Sequence, residues 1–180
     1  SWYRRQRQMC IRDSNNITQI LMDLKKFIRS IPDYPKKGIL FRDITTLIKE
    51  EKAFEETINQ IVERSRKFKF SKIAAIESRG FVFASAVSYI LKKPFIMLRK
   101  KNKLPAETHS VDFELEYGKA TIEVHKDSID EGESVLIIDD LIATGGTAEA
   151  AAKLINFSKG TVAGFILSLI HISEPTRPIR

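Results

Sequence analysis

The residues from Val135 to Thr147 constrain the fold of this chain more than any other stretch. Four apolar residues, three of them β-branched, are followed by two aspartates, a Thr-Gly-Gly-Thr turn and an alanine-rich segment. A continuous apolar run of this length is typical of a strand that is buried on both faces, as in a parallel sheet. The alanine-rich segment after the turn consists of strong helix formers. The order of strand, acidic pair, glycine turn and helix predicts an α/β protein.

The turn between this strand and this helix is suited to a phosphate. The first N–H groups of a helix lack partners, and the helix dipole places partial positive charge beside them. Gly145 and Gly146 allow the backbone to approach an anion closely, and the hydroxyls of Thr144 and Thr147 can donate hydrogen bonds. The alternative is an ordinary capped turn, and Glu149 counts against an anion. No Gly-Lys-Ser/Thr ending is present, which disfavours a nucleoside triphosphatase P-loop.

Two further polar segments also follow apolar strands. Residues 73–76 precede Glu77-Ser78-Arg79-Gly80 and a helical pattern over 81–91, and residues 94–98 precede the basic run 99–103. Ligands of open α/β sheets bind beyond the carboxyl ends of the strands, so these segments predict a second anion site. The alternatives are a surface ion pair between Arg79 and Glu77 and a solvated basic surface.

Composition and charge narrow the class of protein. The 180 residues fit one domain, the single cysteine excludes a disulfide framework, and no apolar run reaches the length of a membrane span. A cytoplasmic protein without membrane contact is therefore expected. The formal charge is +7, but four arginines lie in residues 1–21 and much of the remainder lies between residues 92 and 103. This distribution favours a site for a small polyanion over a nucleic-acid surface.

Residues 135–147 closely resemble the phosphoribosyl-pyrophosphate signature of the type I phosphoribosyltransferases. The resemblance implies a doubly wound parallel sheet flanked by helices, with a small amino-terminal hood. It implies that the ribose is bound by Asp139 and Asp140, and the 5′-phosphate by Ala143, Thr144, Gly145, Gly146 and Thr147. It also implies that pyrophosphate, which brings its own magnesium ion, is bound by Ser78, Arg79, Arg99, Lys100 and Lys103. In this family the loop at Ser78 often contains a non-proline cis peptide.

Residues 31–44 carry a more specific resemblance. Ile-Pro-Asp-Tyr-Pro, followed by Gly-Ile-Leu-Phe-Arg-Asp-Ile, is similar to the hood of the adenine-specific members of the family. It implies that adenine is surrounded by Leu40, Phe41 and Arg42, with the Phe41 ring stacked on the base. From the residues alone, a surface strand with a local ion pair is the alternative. The implied enzyme is a homodimer of purine salvage that transfers the phosphoribosyl group to adenine, giving AMP and pyrophosphate.

Residues 107–117 lack a clear hydrophobic period and are expected to form a mobile loop over the site. Residues 115–120 match the catalytic-loop motif of the family, which implies that Glu116 is the catalytic carboxylate, with Tyr117 beside it in the loop. His109 is expected to be an ordinary loop residue, because no second ligand lies at metal spacing from it.

The resemblance covers residues 22–168, with the hood over 22–46 and the core sheet over 71–168. Residues 1–21 and 169–180 resemble translated adaptor sequence and are interpreted as non-native tails. The family continues with a further strand and helix, so a truncated sheet edge predicts reduced stability. The alternatives are a phosphoribosyltransferase for another nucleobase, a phosphoribosyl-pyrophosphate-binding regulator without turnover, and an inactive truncated domain.

Overall fold

The computed structural model describes residues 22–115, 118–140 and 146–167. Within these residues, a short 3-10 helix at Leu24–Phe27 precedes the α-helices α1 Thr45–Ile48, α2 Glu51–Ser65, α3 Gly80–Leu91 and α4 Gly146–Phe157. The strands are β1 Arg29–Ile31, β2 Phe41–Asp43, β3 Lys72–Ile76, β4 Phe95–Lys100, β5 Thr108–Leu115, β6 Gly118–His125, β7 Ser134–Asp139 and β8 Thr161–Leu167. The strands and helices predicted around residues 73–98 and 135–155 are therefore present.

The main sheet has the strand order β5-β6-β4-β3-β7-β8. Its central strands are parallel, with β3 between β4 and β7, and β8 beyond β7. Helices α2 and α3 pack on one face through Ile58, Ile61 and Phe83, whereas α4 packs on the other through Leu154 and Ile155. The predicted α/β architecture, a parallel sheet with helices on both faces, is confirmed. No helix in the described part of the chain combines the length and apolar character needed to cross a bilayer.

The prediction of a mobile loop over residues 107–117 is wrong for most of its length. Residues 108–115 form β5, which pairs antiparallel with β6 along the whole strand, and β6 in turn pairs antiparallel with the end of β4. The half-buried Val111 and Phe113 pack on the core, while Asp112 and Glu114 between them are exposed. This alternation is typical of a strand with one buried face. The sheet is therefore mixed rather than wholly parallel.

The amino-terminal hood is a small ribbon beside the main sheet. Strands β1 and β2 pair antiparallel, with Ser30 opposite Arg42 and Ile31 opposite Phe41. The hood begins with a single 3-10 turn at Leu24–Phe27, which buries Leu24. Leu24 belongs to the same hydrophobic cluster as the α2 and α3 side chains, and so attaches the hood to the core.

Candidate functional site

The three polar segments predicted from the sequence meet at one edge of the sheet. Strand β3 lies between β4 and β7, with Ile76 opposite Leu98 and Ala75 opposite Ile138. The segments that leave these strands are 77–80, 99–103 and 139–140, and they emerge side by side because the strands are parallel. The shared edge forms the candidate active site.

The two aspartates at the end of β7 are buried, with Asp139 9% and Asp140 4% exposed. The backbone N–H of Asp140 donates to Oδ1 of Asp139 at 2.8 Å. Burial and the neighbouring charge of Asp140 raise the pKa of Asp139 to about 7. Such a raised pKa is characteristic of carboxylates in functional sites.

Arg79 joins the hood to the acidic pair. Its Nη2 lies 2.7 Å from Oδ2 of Asp140, and its Nη1 donates to the carbonyl oxygen of Arg42 at 3.2 Å. The guanidinium also lies over the Phe41 ring, 5.3 Å from the ring centroid. The alternative prediction, a surface ion pair between Arg79 and Glu77, is wrong, because Arg79 pairs with Asp140.

Close packing between α3 and β7 brings Arg79 to the acids. A Cβ added at Gly80 would lie 2.8 Å from Oδ1 of Asp139 and 3.1 Å from the carbonyl oxygen of Ile138. Only glycine therefore permits the first turn of α3 to approach the end of β7 this closely.

The peptide between Glu77 and Ser78 is cis, as the family resemblance implies, and Ser78 is exposed.

Glu77 is a site residue to which the sequence analysis assigned no function. Its Oε2 accepts hydrogen bonds from Nε of Arg99 at 3.2 Å and from the backbone N–H of Lys100 at 3.0 Å. Burial raises the pKa of Glu77, but these hydrogen bonds outweigh burial, and the net pKa is lowered. The sequence did contain a signal for this role, because Glu77 directly follows β3 and the basic segment 99–103 begins at the same end of the neighbouring strand β4. The side chains of Lys100 and Lys103 are exposed.

The hood residues surround a partly open aromatic surface. The Phe41 ring contacts the edge of Tyr34 at 5.2 Å between centroids, and Leu40 is 51% exposed. Arg42 donates to the Ser30 hydroxyl. The local ion pair considered for this strand does form at Asp43, but its partner is Arg29 on the neighbouring strand β1.

Several predicted site residues lie outside the described residues, namely Glu116, Tyr117, Ala143, Thr144 and Gly145. Gly146 and Thr147, which were predicted as part of the turn, are the first residues of α4. The phosphate site and the catalytic carboxylate stay predictions.

Comparison with known proteins decides the family. A model of the phosphoribosyl transferase domain matches residues 43–177. This chain belongs to the phosphoribosyltransferase family. Adenine phosphoribosyltransferase of Pelagibacter ubique is 79% identical over 148 residues, which cover 82% of this chain and 85% of the relative. The enzyme of the same name from Pseudothermotoga lettingae is 48% identical over 158 residues, covering 87% and 93%.

Solved structures of phosphoribosyltransferases share the fold. Adenine phosphoribosyltransferase from Thermoanaerobacter pseudethanolicus has a TM-score of 0.79 at 48% identity, covering 82% of this chain and 86% of that one. The Saccharomyces cerevisiae enzyme, crystallised with adenine and an imino-altritol bisphosphate, has a TM-score of 0.73 at 31% identity, covering 83% and 90%. The resemblance to the adenine-specific members found in the sequence is confirmed.

Proposed function

We propose that this protein is a purine-salvage enzyme that transfers the 5-phosphoribosyl group from phosphoribosyl pyrophosphate to adenine, releasing AMP and pyrophosphate. The observation that carries the proposal is the position of Arg79, which contacts the hood at Phe41 and the acidic pair at Asp140. Arg79 therefore lies between the proposed adenine subsite at Phe41 and the proposed ribose subsite at Asp140. The relatives named adenine phosphoribosyltransferase support adenine as the base.

Each part of the substrates has a chemical counterpart in the site. The carboxylates of Asp139 and Asp140 accept hydrogen bonds from the ribose hydroxyls, and the turn over 143–147 holds the 5′-phosphate at the start of α4. The pyrophosphate is held by Ser78, Arg79, Arg99, Lys100 and Lys103 through charge-assisted hydrogen bonds. Adenine lies against Leu40, Phe41 and Arg42, where stacking and removal from water stabilise a flat ring.

The reaction is a displacement at the anomeric carbon of the ribose. Positive charge develops on the sugar ring as pyrophosphate departs, as in other glycosyl transfers, so a nearby carboxylate stabilises the transition state. We assign this carboxylate, or the handling of the proton of the base, to Glu116 in the loop with Tyr117. The hood and the acidic pair align base and sugar, which lowers the entropic cost of the reaction.

Magnesium would enter with the substrate and neutralise charge on its phosphates. The two aspartates offer hard oxygen ligands, which suit one or two contacts to this ion. No group of three or more His, Cys, Asp or Glu side chains in the described ranges could hold a metal ion. Most of the ligands would be substrate oxygens and water, because Mg²⁺ gives up its water reluctantly and is usually bound through one or two carboxylates together with substrate phosphates.

We also propose a cytoplasmic homodimer. Helix α3 exposes Val82, Tyr89 and Ile90, which are 37%, 85% and 49% exposed and share one face at helical spacing. Met97 on the adjacent strand β4 is 45% exposed. An apolar surface of this kind is typical of a protein interface. The single cysteine fits a reducing compartment.

The test is release of pyrophosphate from phosphoribosyl pyrophosphate with adenine, hypoxanthine or guanine as acceptor. We expect turnover with adenine, and a loss of about 100-fold or more in both Glu116→Ala and the double variant Asp139→Ala/Asp140→Ala. Asp130→Asn, an exposed acid before β7, serves as the control and should retain activity. Full turnover in both site variants would contradict the assignment. Turnover with hypoxanthine or guanine alone would favour a different base.

A further inference from the structure

The basic segment 99–103 contains four cationic side chains within five residues. Charges of one sign repel one another, and a segment of this composition is ordinarily extended and solvated. Here the chain instead forms a tight turn, in which the N–H of Lys103 donates to the carbonyl oxygen of Lys100 at 3.2 Å. Asn102 has a φ of 65°, within the left-handed region. The turn therefore needs contacts that offset the repulsion.

Two acids from neighbouring strands provide such contacts to the backbone of the turn. Oε2 of Glu77 accepts from the N–H of Lys100, and Oε2 of Glu123 accepts from the N–H of Asn102, each at 3.0 Å. Glu123 lies on β6 and is only 8% exposed. The turn is thus attached to β3 on one side and to β6 on the other.

Glu77 also acts through Arg99. The guanidinium donates to Glu77 through Nε and to the carbonyl oxygen of Lys103 through Nη1, both at 3.2 Å. Arg99 consequently connects the acid to the far end of the turn. Burial raises the pKa of Glu77, but the hydrogen bonds from Lys100 and Arg99 and the positive charges of these two residues together outweigh burial, and the net pKa is lowered. The carboxyl group therefore stays ionised at neutral pH.

The same residue also fixes the second segment proposed for pyrophosphate. Glu77 directly precedes Ser78 and Arg79, and its backbone N–H donates to the carbonyl oxygen of Leu98 on β4 at 2.9 Å. In the part of the chain that the structure describes, no carboxylate forms an ion pair with the ammonium group of Lys100 or of the other lysines of the turn. The acid orients the turn, and its charge interacts with that of Lys100 without forming an ion pair with the ammonium group.

We infer that Glu77 is a positioning residue for the pyrophosphate group of phosphoribosyl pyrophosphate, a role that rests on the proposed function. It sets the spacing between Arg79 on one segment and the lysines of the other, and it does not itself touch the anion. Ligands that carry pyrophosphate depend on this spacing. AMP, which has no pyrophosphate, does not depend on it.

The test is calorimetric titration of Glu77→Gln with magnesium pyrophosphate, phosphoribosyl pyrophosphate and AMP. Glutamine keeps an oxygen that can accept from Lys100 but loses the charge that holds Arg99. We expect the Kd for both pyrophosphate-containing ligands to rise about tenfold, and the Kd for AMP to change by less than about twofold. In steady-state kinetics, KM for phosphoribosyl pyrophosphate should rise while KM for adenine is unchanged.

Glu133→Gln is the matched control. This acid also accepts from a cation and a backbone N–H, namely Nζ of Lys72 at 2.6 Å and the N–H of Asp130 at 2.8 Å, but it precedes β7 at the opposite end of the sheet. The control should bind all three ligands as the wild type does. If Glu77→Gln does not fold, Glu77→Asp, which keeps the charge on a shorter side chain, should show the same selective loss.

An equal loss for AMP and pyrophosphate, or no loss at all, would overturn the role of Glu77. Failure of the wild-type protein to bind pyrophosphate would also overturn the role of Glu77. A wild type that binds pyrophosphate but does not release it from phosphoribosyl pyrophosphate with adenine refutes the proposed function instead. In that case the titrations still decide whether Glu77 positions the anion.

Discussion

The side chains at the sheet edge show what tertiary neighbours add to residue type. The position of Arg79 after a buried strand predicted an anion ligand, and the family resemblance implied that the two aspartates after another strand bind the ribose. The ion pair between Arg79 and Asp140 could not, because it depends on how closely α3 approaches β7. The same applies to Glu77, whose partners belong to β4. Sequence therefore identified most candidate ligands but not the contacts that orient them.

The raised pKa of Asp139 predicts a specific pH dependence. Folding raises this pKa from its ordinary value to about 7, so the folded protein binds the proton more tightly than the unfolded chain does. The resulting stabilisation is present below the unfolded pKa and is lost as the pH rises through about 7. Asp139→Asn removes the cost of ionisation and should increase the free energy of unfolding by about 1–2 kcal/mol more near pH 8 than near pH 5. Denaturant unfolding at both pH values measures this.

Asp43 should behave in the opposite way and serves as the control. Hydrogen bonds from Thr45, and then from Arg29, lower the pKa of Asp43 to about 2. Its stabilisation is present above the unfolded pKa and is lost as the pH falls through about 2. Asp43→Asn should therefore destabilise the protein at neutral pH. Equal effects of the two substitutions near pH 8 would contradict the assigned environments.

At the level of elements, continuous apolar runs predicted β3, β4 and β7 well, because strands buried on both faces leave a simple pattern. Strand β5 was missed, although Val111 and Phe113 alternate with Asp112 and Glu114. Its polar residues and position in a family loop favoured an irregular segment. Pairing with β6 and packing on the core decide its structure, and neither is a local property of the sequence.

The contact between α3 and β7 predicts the effect of Gly80→Ala. The new Cβ would lie 2.8 Å from Oδ1 of Asp139, so α3 must move away from the acidic pair. We expect a loss of about 1–3 kcal/mol of stability, together with weaker binding of phosphoribosyl pyrophosphate. Thermal unfolding and calorimetric titration measure the two effects.

Gly164→Ala separates the loss of binding from the loss of stability. A Cβ at Gly164 would lie 2.2 Å from Cε1 of Phe68, and neither residue belongs to the candidate site. This variant should also be less stable, but the folded protein should bind phosphoribosyl pyrophosphate normally. Comparable loss of affinity in both variants would show that Gly80 has no special relation to the site.

For the whole molecule, the exposed apolar face of α3 predicts the oligomeric state. The double variant Tyr89→Glu/Ile90→Glu places two charges on this face and should convert a homodimer into a monomer in sedimentation velocity. Phe157→Glu is the control, because Phe157 is 64% exposed on α4, on the other face of the sheet. A dimer that survives the α3 substitutions but not the Phe157 substitution would place the interface elsewhere.

The antiparallel hairpin of β5 and β6 has a mechanical consequence. It pairs with the end of β4, with Arg99 opposite Glu123 and Lys100 opposite Ile122, and its Val111 and Phe113 side chains pack on the core beside α4. The hairpin is therefore held both by β4 and by the core, and the basic segment 99–103 adjoins it. Because Glu123 of β6 accepts from the N–H of Asn102, a substitution that loosens the packing of Val111 or Phe113 should also disturb the basic segment.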